Sequence, residues 1–196
     1  MGHILSSAFT LFLVMDPLGN IPLFLTALRH VPASRRQKVL ARELLTALVI
    51  MVIFLLAGRG LLAVLHVTQP ALATAGGLIL LLIAVRMMFP TPEASLRERT
   101  FEEPLIVPLA VPYTAGPSVL AIEVIMINQT PDAMPALLAA VGFAWLPTAL
   151  ILFFAGYLHH WLGERFLTAI ERLMGMILII VATQMLMGGV KEFFGF

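Results

Sequence analysis

The 196-residue chain contains no cysteine. That absence removes disulfides, thiolate metal sites and thiol nucleophiles together, and it says nothing about compartment. Charge is also scarce: 12% of residues are Asp, Glu, Lys or Arg, and the formal net charge of +1 implies no nucleic-acid partner. Apolar residues take the space that charge leaves, at 60% hydrophobic and a mean hydropathy of +1.00. A soluble fold would have to hide more apolar surface than its interior can hold. The expected solvent is therefore a lipid bilayer.

The apolar residues fall into blocks about twenty residues long, the length a helix needs to cross a hydrocarbon core of roughly 30 Å. Six blocks are expected, at about 4–28, 39–65, 71–90, 104–127, 133–160 and 167–190. They are too continuous for the alternating strands of an outer-membrane barrel, so helices are the spanning form. The first block reads as a retained membrane helix rather than a cleavable signal. No basic residue precedes it, the basic cluster follows it, and it holds an acid and two prolines.

The placement of positive charge gives an orientation. Arg29, Arg35, Arg36, Lys38 and Arg42 crowd the first connection, Arg86, Arg97 and Arg99 surround the third, and Arg165 and Arg172 flank the fifth. Only Arg59 and Lys191 remain for the other side. This bias places connections one, three and five in the cytoplasm and both termini outside.

Three blocks per half then face opposite ways, the usual construction of a secondary transporter. Internal similarity points the same way. Pro17 and Pro22 in the first block match Pro112 and Pro117 in the fourth, with Gly19 and Gly116 between them. A shift of 98 residues aligns 54–88 with 152–186 without a gap, pairing Gly77 with Gly175. The expected fold is an all-α membrane protein of six transmembrane helices in one domain. Its two inverted three-helix repeats, about 1–92 and 100–196, have spans 1 and 4 broken near mid-membrane.

The breaks carry the candidate site. Each proline removes a helical hydrogen bond and clashes one turn back, and glycine weakens the helix further. Non-helical backbone at membrane depth survives only against protein or a water-filled cavity. Asp16 stands at the first break, where a charge costs roughly 2.5 to 3.5 kcal/mol on insertion scales. Its role is open between cation ligand, protonatable carrier, hydrogen-bond anchor of the unwound segment and helix cap. The candidate substrate-binding residues are Asp16, Pro17, Gly19, Asn20, Pro22, Tyr113, Thr114, Gly116, Pro117 and Ser118. Amides freed at the two new helix N-termini suit a carboxylate substrate. Glu123 is either a second proton or cation site, or faces a polar partner such as Gln184 or the outer interface. Coupling to Na+ or H+ through Asp16 and Glu123 is therefore expected. Glu43 reads as a local ion pair with Arg42, Gln184 as a helix-to-helix hydrogen bond, and Trp145 as packing.

Catalysis is not expected. His3, His30, His66, His159 and His160 fall at block ends or in loops, so Ser118 has no histidine at matching depth. Metal-ligand spacing, phosphate loops and dinucleotide fingerprints are absent, so neither a metal nor a cofactor is expected.

MDPLGNIPLF, RRQK-x-LARELL, EEPLIVPLAVPYTAGPSVLA and ERLMGMILIIVATQML together resemble the MarC family of bacterial inner-membrane proteins, in particular its YhgN-like branch, over nearly the whole chain. The resemblance implies membership of the LysE-like transporter superfamily. It also implies small neutral amino acids such as glycine or alanine as substrates, driven by an ion gradient. By position, the family's broken spans fall on Asp16 to Pro22 and Pro112 to Ser118. A local departure is Tyr113 with Thr114, where relatives often carry apolar residues. A non-transporting scaffold or regulator, an exporter of drugs or other metabolites, and a passive channel are the competing readings. Oligomeric state stays open, a homo-oligomer included.

Overall fold

Proline and left-handed residues divide the chain into its helices. The computed structural model describes residues 2–28, 31–89 and 114–195, and all regular structure among them is helical. Helix α1 (Gly2–Met15) stops where Pro17 bars its predecessor from the right-handed helical region, and Asp16 turns left-handed at φ 43°. After a four-residue turn, the short α2 (Ile21–Ala27) restarts the helix. The first expected span is thus two pieces separated by Asp16 to Asn20.

Helix α3 (Ala33–Leu65) begins directly after Pro32, six residues earlier than the apolar pattern alone suggests. Its basic first turns continue the helix beyond the apolar part. It ends on a left-handed His66, whose N–H donates to Ala63 O at 3.3 Å while the Val67 N–H donates to Leu62 O at 3.0 Å. This double closure satisfies carbonyls that the helix end would otherwise leave orphaned. Helix α4 (Gln69–Met88) follows after two residues, with Pro70 in its first turn.

Residues 104–113 of the fourth expected span, Pro112 and Tyr113 included, lie outside the described residues. Its remainder is α5 (Pro117–Gln129), which starts with an extended Gly116 and Pro117 at the first helical position. A 3-10 turn (Pro131–Ala133) leads into α6 (Met134–Phe153). The fifth expected span is cut at Phe154, and α7 (Ala155–Phe194) takes up the chain at once. Gly163 interrupts α7 with φ 75° and ψ 158°, a conformation only glycine adopts without cost.

Four of these helices are long and apolar enough to cross a membrane: Ala33–Gly58, Gln69–Met88, Met134–Phe153 and Arg165–Phe194. Ile4–Met15 and α5 are apolar but shorter. At 1.5 Å per residue a helix of α5's length covers only about 20 Å, so neither crosses alone. The outward faces are built for lipid. On α3 the exposed Leu45, Val49, Ile53 and Leu56 recur every three or four residues, and Leu78, Leu82, Val85 and Phe89 do the same along α4.

Inside, α1 packs on α6, α3 on α5, α4 on α5, α2 on α7, and α4 lies along α7. Small residues set this last contact. A Cβ on Gly77 would stand 2.9 Å from Leu186 N and 3.0 Å from both Ala182 O and Met185 Cβ. One on Gly175 would stand 3.2 Å from Ala84 O, Met87 Cβ and Met88 Cγ. Such close backbone approach is how membrane helices gain packing energy without a hydrophobic drive between them.

Candidate broken-helix site

The first break is a tight, self-satisfied loop. With Asp16 left-handed, its carboxylate swings forward and Oδ1 accepts the Gly19 N–H at 3.2 Å. The Asn20 N–H donates to Asp16 O at 3.1 Å, and Asn20 Nδ2 donates back to Met15 O at 2.9 Å. Asp16 is only 4% exposed. Of the roles open to it, these contacts fit the anchor of the unwound segment. Gly19 keeps this turn tight, because a Cβ would displace Asp16 Oδ2 and the Met87 methyl of α4. Thr148 of α6 braces the same turn through Met15 Sδ at 3.5 Å, and its hydroxyl also donates to Ala144 O at 2.9 Å.

The second expected break leads into the start of α5. Thr114, Gly116 and Ser118 are buried, and Pro117 is exposed. Gly116 provides no side-chain cap. The first-turn N–H groups of Ser118 and Val119 therefore point out of the helix start with no intrahelical acceptor. Met15, beside the first break, and Ala115 and Val119, at the second, belong to one buried hydrophobic cluster. The fold thus brings the first break and the start of α5 into a single core, and Asp16, Thr114 and Ser118 are each buried. Pro22 lies in the first turn of α2, and Tyr113 lies outside the described residues.

Glu123 sits in the middle of α5 and is fully buried, with neither carboxylate oxygen hydrogen-bonded. The polar partner expected of Gln184 does not materialise: Gln184 is exposed, and its neighbour Thr183 donates within its own helix to Ile179 O at 2.8 Å. The reason is rotational, since α7 turns Ala182 and Met185 toward α4 and leaves the 183–184 face outward. The Arg42 pair is present, with Nη2 2.9 Å from Glu43 Oε1. Trp145 Nε1 donates to Leu44 O at 2.9 Å and ties α6 to α3.

Glu171 of α7 is a residue sequence reasoning passed over. It lies close enough for its charge to act on Asp16. Its signal was masked by Arg172, which makes the pair read as a solvated span end. No group of three or more potential metal ligands occurs among the described residues.

Long apolar helices with lipid-facing stripes, a seam closed on small residues and a broken helix define a polytopic helical membrane protein. Residues 1–194 match the family model described as "MarC family integral membrane protein", and the chain belongs to that family. It is 43% identical over 192 residues to the UPF0056 inner membrane protein YhgN of Escherichia coli strain K12, covering 97% of this chain and 98% of the relative. A UPF0056 membrane protein of Buchnera aphidicola from Schizaphis graminum is 42% identical over 194 residues, 99% of each chain. One from Chlamydia muridarum is 29% identical over 187 residues, covering 93% of this chain and 90% of the relative. No solved structure matches the chain.

Proposed function

We propose that this protein is a secondary transporter that binds a small zwitterion, such as glycine or alanine, between the two helix breaks and exposes it to each side in turn. The observation that carries this reading is the packing of the first break and the start of α5 into one buried cluster, since irregular backbone at membrane depth is kept only against protein or a water-filled cavity, and secondary transporters bind their substrates where such broken spans meet. The substrate carboxylate would lie at the uncapped start of α5. Its ammonium would lie toward Asp16 at the first break, where the charge of Glu171 also acts.

The six-span inverted repeat belongs to the same proposal, and the α4·α7 seam supports it. Gly77 approaches Ala182, Met185 and Leu186, while Gly175 approaches Ala84, Met87 and Met88. A shift of 98 residues turns each set into the other, the contact that a two-fold axis through the seam would generate. Exchanging the halves also maps α2 on α7 onto α5 on α4. With both termini periplasmic, the two halves would rock about this seam under a cation gradient.

Purified protein titrated with glycine, alanine and other amino acids, with and without sodium and across pH, tests the reading. A substrate-dependent thermal shift, and ion-dependent uptake into proteoliposomes that Asp16→Asn weakens, are the expected results. No shift with any amino acid, together with uptake indifferent to ion gradients, would refute it.

A further inference from the structure

Most buried charges in this protein have an explanation, and Glu123 has none in the packing. Its side chain is 0% exposed and both oxygens are without a hydrogen-bond partner. Among the described residues no side chain forms a hydrogen bond with it. The elements around it agree. Among titratable groups α1 carries only His3, α4 only Arg86 near its far end, and α6 none. On α3, Arg59 follows the Gly58 that meets Val124. An ionised carboxylate in such surroundings is unsupported, because among the described side chains desolvation is offset by neither a counter-charge nor donors. Glu123 therefore sits in this state as a neutral acid, holding a proton.

A second observation lies along the same helix face. Where the start of α1, the end of α5 and the start of α6 meet, a cavity of about 390 Å³ is lined by Ile4, Ser7, Met126, Gln129, Thr130 and Leu137, among others. Thr130 is seven residues from Glu123 and returns to nearly its azimuth, and Met126 is one turn away. The rise along the helix is about 4.5 Å to Met126 and about 10 Å to Thr130. Ser7, Gln129 and Thr130 supply polar groups that water wets. One turn further along the same helices than the lining Ser7 and Leu137, Leu11 and Val141 are buried. The cavity lies at the end of α5, with the buried acid further back along that helix.

We propose that Glu123 is a proton-exchanging carboxyl and that this cavity is the aqueous vestibule through which its proton reaches solvent. The proposal deepens the transport reading and rests on it for its purpose, since a proton held and released on one side is what couples a transporter to a gradient. Infrared difference spectroscopy on reconstituted protein reads the proton directly. At neutral pH the carbonyl stretch of a protonated carboxyl is expected, shifting in D2O and disappearing in Glu123→Gln. The natural lack of cysteine makes Ser7→Cys a clean probe. A cationic methanethiosulfonate should modify it as it does the exposed Asp132→Cys, and the adduct should slow deuterium exchange of the band at least about tenfold.

A band that persists in Glu123→Gln, the absence of any protonated carboxyl at neutral pH, or a Ser7→Cys unreactive beside a reactive Asp132→Cys would overturn the proposal. Intact band and exchange in a protein that binds no amino acid would instead defeat the transport reading and leave the proton assignment standing.

Discussion

Gly77 and Gly175 stand at corresponding positions of the two halves and do the same thing, whereas Asp16 and Glu123 have no counterparts. Matching Pro17 with Pro112 sets Asp16 against Val111 and Glu123 against Leu28. Leu28 is a buried core residue beside α2. The proposed repeat would therefore share the scaffold between halves and not the charge. The two acids also differ in kind. Asp16 is held by the Gly19 N–H and shapes a loop, and Glu123 touches nothing polar. Removing the first should damage structure, and removing the second should damage only chemistry.

The sharpest way to break this comparison is at the seam. Gly77→Ala places a methyl within 3.0 Å of α7 backbone atoms, which cannot rotate away, and should cost about 2 to 3 kcal/mol of stability in detergent. Gly175→Ala meets its neighbours at 3.2 Å and should cost less, about 1 kcal/mol. Thermal unfolding followed by circular dichroism ranks the two. A tolerant Gly175 beside an intolerant Gly77 would mean that the seam is not shared equally.

Next in size, Asp16→Ala removes the acceptor of the Gly19 N–H and puts a residue without local hydrogen bonds at φ 43°, for an expected loss of about 1 to 2 kcal/mol. Asp16→Asn keeps an oxygen acceptor and tolerates the left-handed backbone, so its melting temperature should match the parent while ion-dependent uptake falls. Equal destabilisation by both substitutions would show that charge, not the hydrogen bond, holds the loop.

Glu123→Gln should leave stability within about 0.5 kcal/mol, because no hydrogen bond or ion pair is broken. Chemical unfolding measures this, and a loss above about 2 kcal/mol would reveal a partner. The smallest effect should have the opposite sign: a Cβ on Gly60 meets open space within 4 Å, so Gly60→Ala should stabilise α3 by about 0.5 to 1 kcal/mol.

Much of the fold was legible because its causes are local. Pro17 and Pro117 act on their own backbone, so the break after Met15 and the start of α5 could be read from spacing. The ion pair of Arg42 with Glu43 joins neighbours in the chain and was equally readable. The cut at Phe154, the turn at Gly163 and the outward Gln184 were not, since each depends on how α6 and α7 rotate against distant helices. Glu171 was missed for the same reason: only packing brings it to Asp16.

Composition by itself determined that lipid surrounds this protein, because no arrangement of 60% hydrophobic residues hides them all from water. Proline chemistry determined where the helices stop. Tertiary structure alone decided that Asp16 anchors a loop while Glu123 stands without a partner. A carboxylate's role is set by the donors and charges within a few ångströms of it, and those come from parts of the chain that sequence order does not place together.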